Sequence, residues 1–148
     1  GKDYTVLIDY SHTPDSLENI LRAVRGFCTG RIIAVFGCGG DRDPFKRPVM
    51  GKIAAELSDL AIVTSDNPRT EDPYKILRQI LAGMQDTETP YEVIESRVSA
   101  IGRAMELAQK DDVIVLCGKG HETYQEIGHE KHHLDEREVV ASYLEANA

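Results

Sequence analysis

Short apolar runs alternate along this chain with stretches of helical spacing. Residues 4–8, 32–36, 61–64, 91–94 and 113–116 are apolar, rich in β-branched side chains and too short for helices, which predicts five buried strands. Between them, Leu17, Ile20, Leu21 and Val24 fall at i, i+3, i+4 and i+7, and Met50, Ile53, Ala54 and Leu57 repeat that spacing. Leu77, Ile80, Leu81 and Met84 form a third stripe, and Val98, Ile101, Met105 and Ala108 a fourth; each predicts a helix with one buried face. Thr13-Pro14-Asp15 and Glu71-Asp72-Pro73 read as helix starts, because proline fits the first turn and acids favour it. A last helix is expected over 135–144. Ahead of it, 123–127 and 131–134 flank Gly128-His129, which predicts a β-hairpin at the sheet edge.

Strand–helix–strand repetition of this kind predicts an α/β fold: a Rossmann-like, mostly parallel sheet with helices on both faces and a C-terminal edge hairpin. With no linker and no internal repeat, 1–148 reads as one domain. Composition then narrows the partners. No apolar run approaches the ~20 residues needed to span a bilayer, and the first residues carry no signal-peptide pattern. Cys28, Cys38 and Cys117 are an odd number without a CxxC pair, which points to free thiols in a reducing cytosol. A net charge of −8 opposes binding to nucleic acid or anionic membrane. The expectation is a cytoplasmic protein that handles small molecules.

In a parallel α/β sheet, ligands bind beyond the carboxyl ends of the strands. Polar or glycine-rich sequence follows four of the five runs there: Asp9-Tyr10-Ser11-His12, Gly37 to Arg42, Ser65 to Arg69, and Gly118 to Glu122. Gly37 to Gly40 allow either a close approach to a ligand or a tight turn; the chain has no GxxxxGK[ST] phosphate loop. Arg42 is suited to a carboxylate and Lys46 to a phosphate, or both are solvated surface charges. Pro68 fixes the turn between Asp66-Asn67 and Arg69. Arg69 then offers a planar fork for a carboxylate, while Asp66 or Asn67 orients it or accepts an ammonium; an Asx-turn explains the same residues. Glu122 suits an amine, and His121 suits a turn. His129, His132 and His133 lack the spacing and companion ligands of a metal site, so no metal is expected.

Together these segments resemble the C-terminal domain of the Mur ligases, over essentially the whole chain. The resemblance is carried by Ile8 to Asp15, Phe36 to Asp43 with Lys46-Arg47-Pro48, Asp66-Asn67-Pro68-Arg69, and Gly118 to Glu122, and is greatest to the diaminopimelate-adding members. It implies that Arg42, Asp66, Asn67, Pro68, Arg69, Gly118 and Glu122 contact meso-diaminopimelate, with Arg69 on a carboxylate. It implies that Asp9, His12 and Lys46 lie on the nucleotide side, Asp9 against the ribose. Ser11 stands where the family usually has alanine, and Pro44-Phe45 replace a small or basic pair ahead of Lys46.

The chemistry so implied is ATP- and Mg²⁺-dependent amide ligation. Diaminopimelate would be joined to UDP-N-acetylmuramoyl-L-alanyl-D-glutamate in peptidoglycan synthesis. Because the phosphate loop is missing, the UDP-binding and central ATPase domains are expected outside this chain, no catalytic residue is expected within it, and alone it should be inactive. Two rivals stay open: a lysine-adding or folyl- or poly-glutamate ligase, and a non-catalytic nucleotide- or amino-acid-binding module.

Overall fold

Strand β2 (Ile32–Phe36) is buried at every position, and its side chains alternate between two separate cores. Ile32, Ala34 and Phe36 enter one core, and Ile33 and Val35 the other. Strands β3 (Leu60–Val63) and β5 (Val113–Cys117) divide in the same way, with Ala61, Val63, Val113 and Val115 facing Leu60, Ile62, Ile114 and Leu116 across the sheet. A period of two with both faces buried is the reason these runs are continuously apolar. In this computed structural model, which describes residues 3–147, β1 (Thr5–Asp9) and β4 (Tyr91–Val93) complete a five-stranded sheet of order β1-β5-β2-β3-β4. Every pair in it is parallel.

Helices α1 (Pro14–Arg25), α2 (Lys46–Leu57) and α3 (Pro73–Leu81) cover the first core, and α4 (Arg97–Leu107) and α5 (Glu136–Ala146) the second. Both expected helix starts are capped. The Thr13 hydroxyl accepts from the Ser16 amide in a capping box, and Asp72 accepts from the Tyr74 amide, each worth ~1 kcal/mol. Among the described residues, no helix is long and apolar enough to cross a membrane.

Three expectations need correction. The third stripe is not one helix: α3 stops at Leu81, and a 3₁₀ turn, Ala82–Met84, carries Met84 into the core. Val98 is 50% exposed, because the buried face of α4 runs through Arg97, Ala100, Ile101, Ala104 and Met105. A stripe scored on apolar residues alone could not include Arg97. Finally, β6 (Tyr124–Ile127) and β7 (Glu130–His133) pair as their own two-stranded sheet instead of extending the large one. Strand β5, from which they follow, already has β1 and β2 on its two sides. The hairpin instead joins the loop after β3 by a single bridge, Arg69 to Ile127.

Candidate functional site

Strands β1, β5, β2 and β3 are neighbours, so the loops that leave their carboxyl ends meet. They enclose a cleft of about 470 Å³. Arg42, Lys46, Asp66, Asn67 and Arg69 line it from one side and His12, Gly118 and Glu122 from the other, joined by Tyr10, Thr13 and Met50. The structure therefore brings together most of the residues expected at a site. Asp9 and Pro68 do not line the cleft; each braces its own loop.

The glycines after β2 serve packing between loops. A Cβ at Gly40 would lie 1.8 Å from the Pro68 carbonyl oxygen, and the Gly40 amide donates to the Asn67 carbonyl at 2.7 Å. Arg47, 1% exposed, locks the same junction. Its Nη2 donates to Gly39 O at 2.9 Å and to Glu71 Oε1 at 2.8 Å, and its Nη1 to Glu71 Oε2 at 3.0 Å and Gln79 Oε1 at 2.6 Å. Of the adjacent basic pair, Arg47 is thus structural, while exposed Lys46 faces the cleft. Arg42 is also exposed, and among the described residues its guanidinium is tied only to its neighbour's carbonyl, Asp41 O, at 3.0 Å.

Arg69 has φ +51, a left-handed conformation uncommon outside glycine and costing roughly 1–3 kcal/mol. The hairpin holds it there: Arg69 N donates to Glu126 O at 3.0 Å, and Gly128 N to Arg69 O at 2.7 Å. Its guanidinium gives Nε to Glu126 Oε2 at 3.2 Å and Nη1 to Gly40 O at 3.0 Å. Among the described residues Nη2 has no partner, which leaves a fixed donor at the cleft wall.

Beneath the floor lies Lys119, whose side chain is 0% exposed. Its ammonium donates to Asn67 Oδ1 at 2.8 Å and Tyr124 O at 3.0 Å, and stands 3.2 Å from Asp66 Oδ1 and 3.9 Å from Glu122 Oε1. The contact with Asp66 is at ion-pair distance but is not aligned as a hydrogen bond, and Oδ1 has no other partner. Burial pulls the Lys119 ammonium below the usual lysine range, opposed by the charge of Asp66. Gly118, at φ +117, makes the turn from β5 that lets Lys119 point inward. Asn67 Oδ1 also accepts from Glu126 N at 2.9 Å, so this oxygen is not the free ammonium acceptor that the sequence allowed.

On the β1 side, Asp9 Oδ2 accepts from the Ser11 amide at 2.9 Å and from the Ser11 hydroxyl. His12 Nδ1 is 2.9 Å from Tyr10 O; a carbonyl only accepts, so Nδ1 donates there. The Tyr10 ring stands between His12 at 4.8 Å and His121 at 5.6 Å, which makes His121 a packing residue of the turn. From below, buried Arg97 donates to Ser65 O at 3.1 Å and Cys117 O at 2.8 Å, clamping the ends of β3 and β5, and pairs with buried Glu136 at 2.9 Å.

Burial pushes the thiols of Cys38 and Cys117 up to about 12. His132 and His133 pair with Glu130 and Glu138, and among the described residues no three His, Cys, Asp or Glu side chains gather to hold a metal. On the β1 side, Asp9 Oδ1 makes no hydrogen bond and the exposed Lys46 ammonium no ion pair among the described residues. What the cleft offers is cations for carboxylates on one wall and acids for ammonium groups around Lys119. Sequence reasoning missed Lys119. Its signal was a lysine set between two glycines at the end of a fully apolar strand.

The family model for the Mur ligase, glutamate ligase domain, matches residues 1–120. A UDP-N-acetylmuramoyl-L-alanyl-D-glutamate–2,6-diaminopimelate ligase of Trichormus variabilis is 64% identical over 97% of this chain and 29% of its own length. A solved structure of a ligase with the same name superposes with a TM-score of 0.95 at 40% identity, covering 99% of this chain and 30% of that one. A pseudomurein peptide ligase type C from Methanothermus fervidus shares the fold, with a TM-score of 0.65 at 20% identity over 96% of this chain and 28% of its own. The chain thus spans under a third of the length of the relatives it matches.

Proposed function

This chain belongs to the Mur ligase family, and we propose that it is the C-terminal, amino-acid-recognising domain of an ATP-dependent ligase. The intact enzyme would add meso-diaminopimelate to UDP-N-acetylmuramoyl-L-alanyl-D-glutamate in peptidoglycan synthesis. The observation that carries this reading is Arg69, held at φ +51 with one guanidinium nitrogen unpartnered among the described residues, in the same cleft as Asp66 and Glu122. Diaminopimelate has a carboxylate and an ammonium at each end. Arg69 and Arg42 suit the carboxylates, Asp66 and Glu122 the ammonium groups, and Gly118 leaves room beside them.

Pro68 contributes indirectly, by fixing the loop that aims Asp66, Asn67 and Arg69. Asp9, His12 and Lys46 would meet the nucleotide at the β1 side. Activation of the acceptor carboxylate by ATP and Mg²⁺ belongs to a central ATPase domain, and the acceptor's UDP group to an N-terminal domain, both in the part of the protein outside this chain. Here the residues bind the incoming amino acid and orient its amine, which is catalysis by proximity. Lysine lacks the distal carboxylate, so a lysine-adding ligase would have little use for a strained Arg69. Replacing Arg69 in the intact ligase and comparing the two amino acids tests the reading.

A further inference from the structure

We propose that Lys119 is a positioning residue for the amino-acid site: from below the floor it fixes the Asn67 amide with its nitrogen toward the cleft and holds Asp66 beside it. This rests on the reading of the cleft as the diaminopimelate site. Two donors, Lys119 Nζ at 2.8 Å and Glu126 N at 2.9 Å, converge on one atom of the Asn67 side chain. That atom must be the carbonyl oxygen, because an amide nitrogen cannot accept either bond. Nδ2 is then directed away from both donors, and among the described residues it makes no hydrogen bond. Asn67 lines the cleft. It presents a donor, so its substrate partner is a carboxylate oxygen.

The ammonium donates to Asn67 Oδ1 and Tyr124 O and stands at ion-pair distance, 3.2 Å, from Asp66 Oδ1. Tyr124 belongs to the hairpin that also holds Arg69, so one buried cation links the loop after β3, the loop after β5 and the hairpin. It lies out of reach of substrate, since its side chain is 0% exposed. Lys119 therefore acts through Asn67 and Asp66. Without it, the Asn67 amide loses one of the two donors that define its direction, and Asp66 loses its one ion-pair partner among the described residues.

The test uses the full-length ligase with Lys119→Met, Asn67→Ala and the double variant, measuring KM for diaminopimelate, KM for ATP and kcat. Lys119→Met is expected to raise KM for diaminopimelate about 30-fold while KM for ATP and kcat change by less than about threefold. The double variant should be no worse than the poorer single variant, because the two residues act as one unit. Equal rises in both KM values, a fall in KM for diaminopimelate, or effects that multiply would overturn the proposal. If Lys119→Met does not fold, Asn67→Asp decides: it keeps the accepting oxygen but removes the donor, so KM for diaminopimelate must rise at least about tenfold, and an unchanged KM overturns the proposal. Arg69→Ala is run alongside. If it raises KM for diaminopimelate and the Lys119 and Asn67 variants do not, the positioning role alone falls; if none of them does, the reading of the cleft falls with it.

Discussion

Gly40 and Pro68 are in backbone contact between the loops after β2 and β3, so close that a methyl group on Gly40 would overlap the Pro68 carbonyl oxygen at 1.8 Å. The loop after β2 is thereby a template for the loop that carries Asp66, Asn67 and Arg69. At Gly39 the atom in the way is Arg69 Nη1, the far end of a side chain, at 2.9 Å.

These two glycines should therefore respond differently. Gly40→Ala must move backbone and is expected to cost ~1–3 kcal/mol in denaturant unfolding, with weaker use of diaminopimelate. Gly39→Ala should cost well under 1 kcal/mol yet raise KM for diaminopimelate, since only the guanidinium has to give way. Equal losses of stability in the two variants would contradict the template.

Glu71 gives a pH dependence. Arg47 and the Asp41 amide bind its carboxylate, and the Arg47 hydrogen bonds are the largest cause of a shift from the ordinary 4.5 to about 2. A carboxyl lowered on folding contributes stability that is complete above its unfolded value and is lost as pH falls toward the folded one. Unfolding measured between about pH 6 and about pH 3 should show wild type losing more stability than Glu71→Gln, with the two converging at low pH. A gap that stays constant with pH would remove Glu71 from the account.

Asp9 separates the two ligands. Its Oδ2 braces Ser11, so truncation would also loosen the loop at 10–13. Asp9→Asn keeps an accepting oxygen and removes the charge. In the full-length ligase it should raise KM for ATP about tenfold and leave KM for diaminopimelate within about twofold. The reverse pattern would place Asp9 in the amino-acid site.

Most of the architecture was legible because both faces of the sheet are buried: a continuous apolar run such as 32–36 or 113–116 has few other readings. The site was legible in outline because chemistry after β1, β2, β3 and β5 converges whenever those strands are neighbours. What was hidden depended on tertiary partners. Arg97 sits on the buried face of α4 only because Glu136 and two strand-end carbonyls await it. Lys46 and Arg47 look alike in sequence, and only the positions of Gly39, Glu71 and Gln79 send Arg47 inward. The hairpin's docking on Arg69 is a bridge between residues 58 apart, Arg69 and Ile127, which no local pattern encodes.

The central claim is that Arg69 receives the distal carboxylate of diaminopimelate, the group that lysine lacks. The direct measurement is kcat/KM for both amino acids in the full-length ligase with wild type, Arg69→Ala and Arg69→Lys. Truncating one partner of a largely buried charged pair costs ~2–5 kcal/mol, so Arg69→Ala should lower kcat/KM for diaminopimelate by about two to three orders of magnitude. Lysine should lose far less, which narrows the preference, and Arg69→Lys should recover only part of the loss, since a point charge cannot replace the fork. Equal falls for both amino acids would contradict the account: Arg69 would then be holding Gly40 and Glu126 in place, with no part in choosing the substrate.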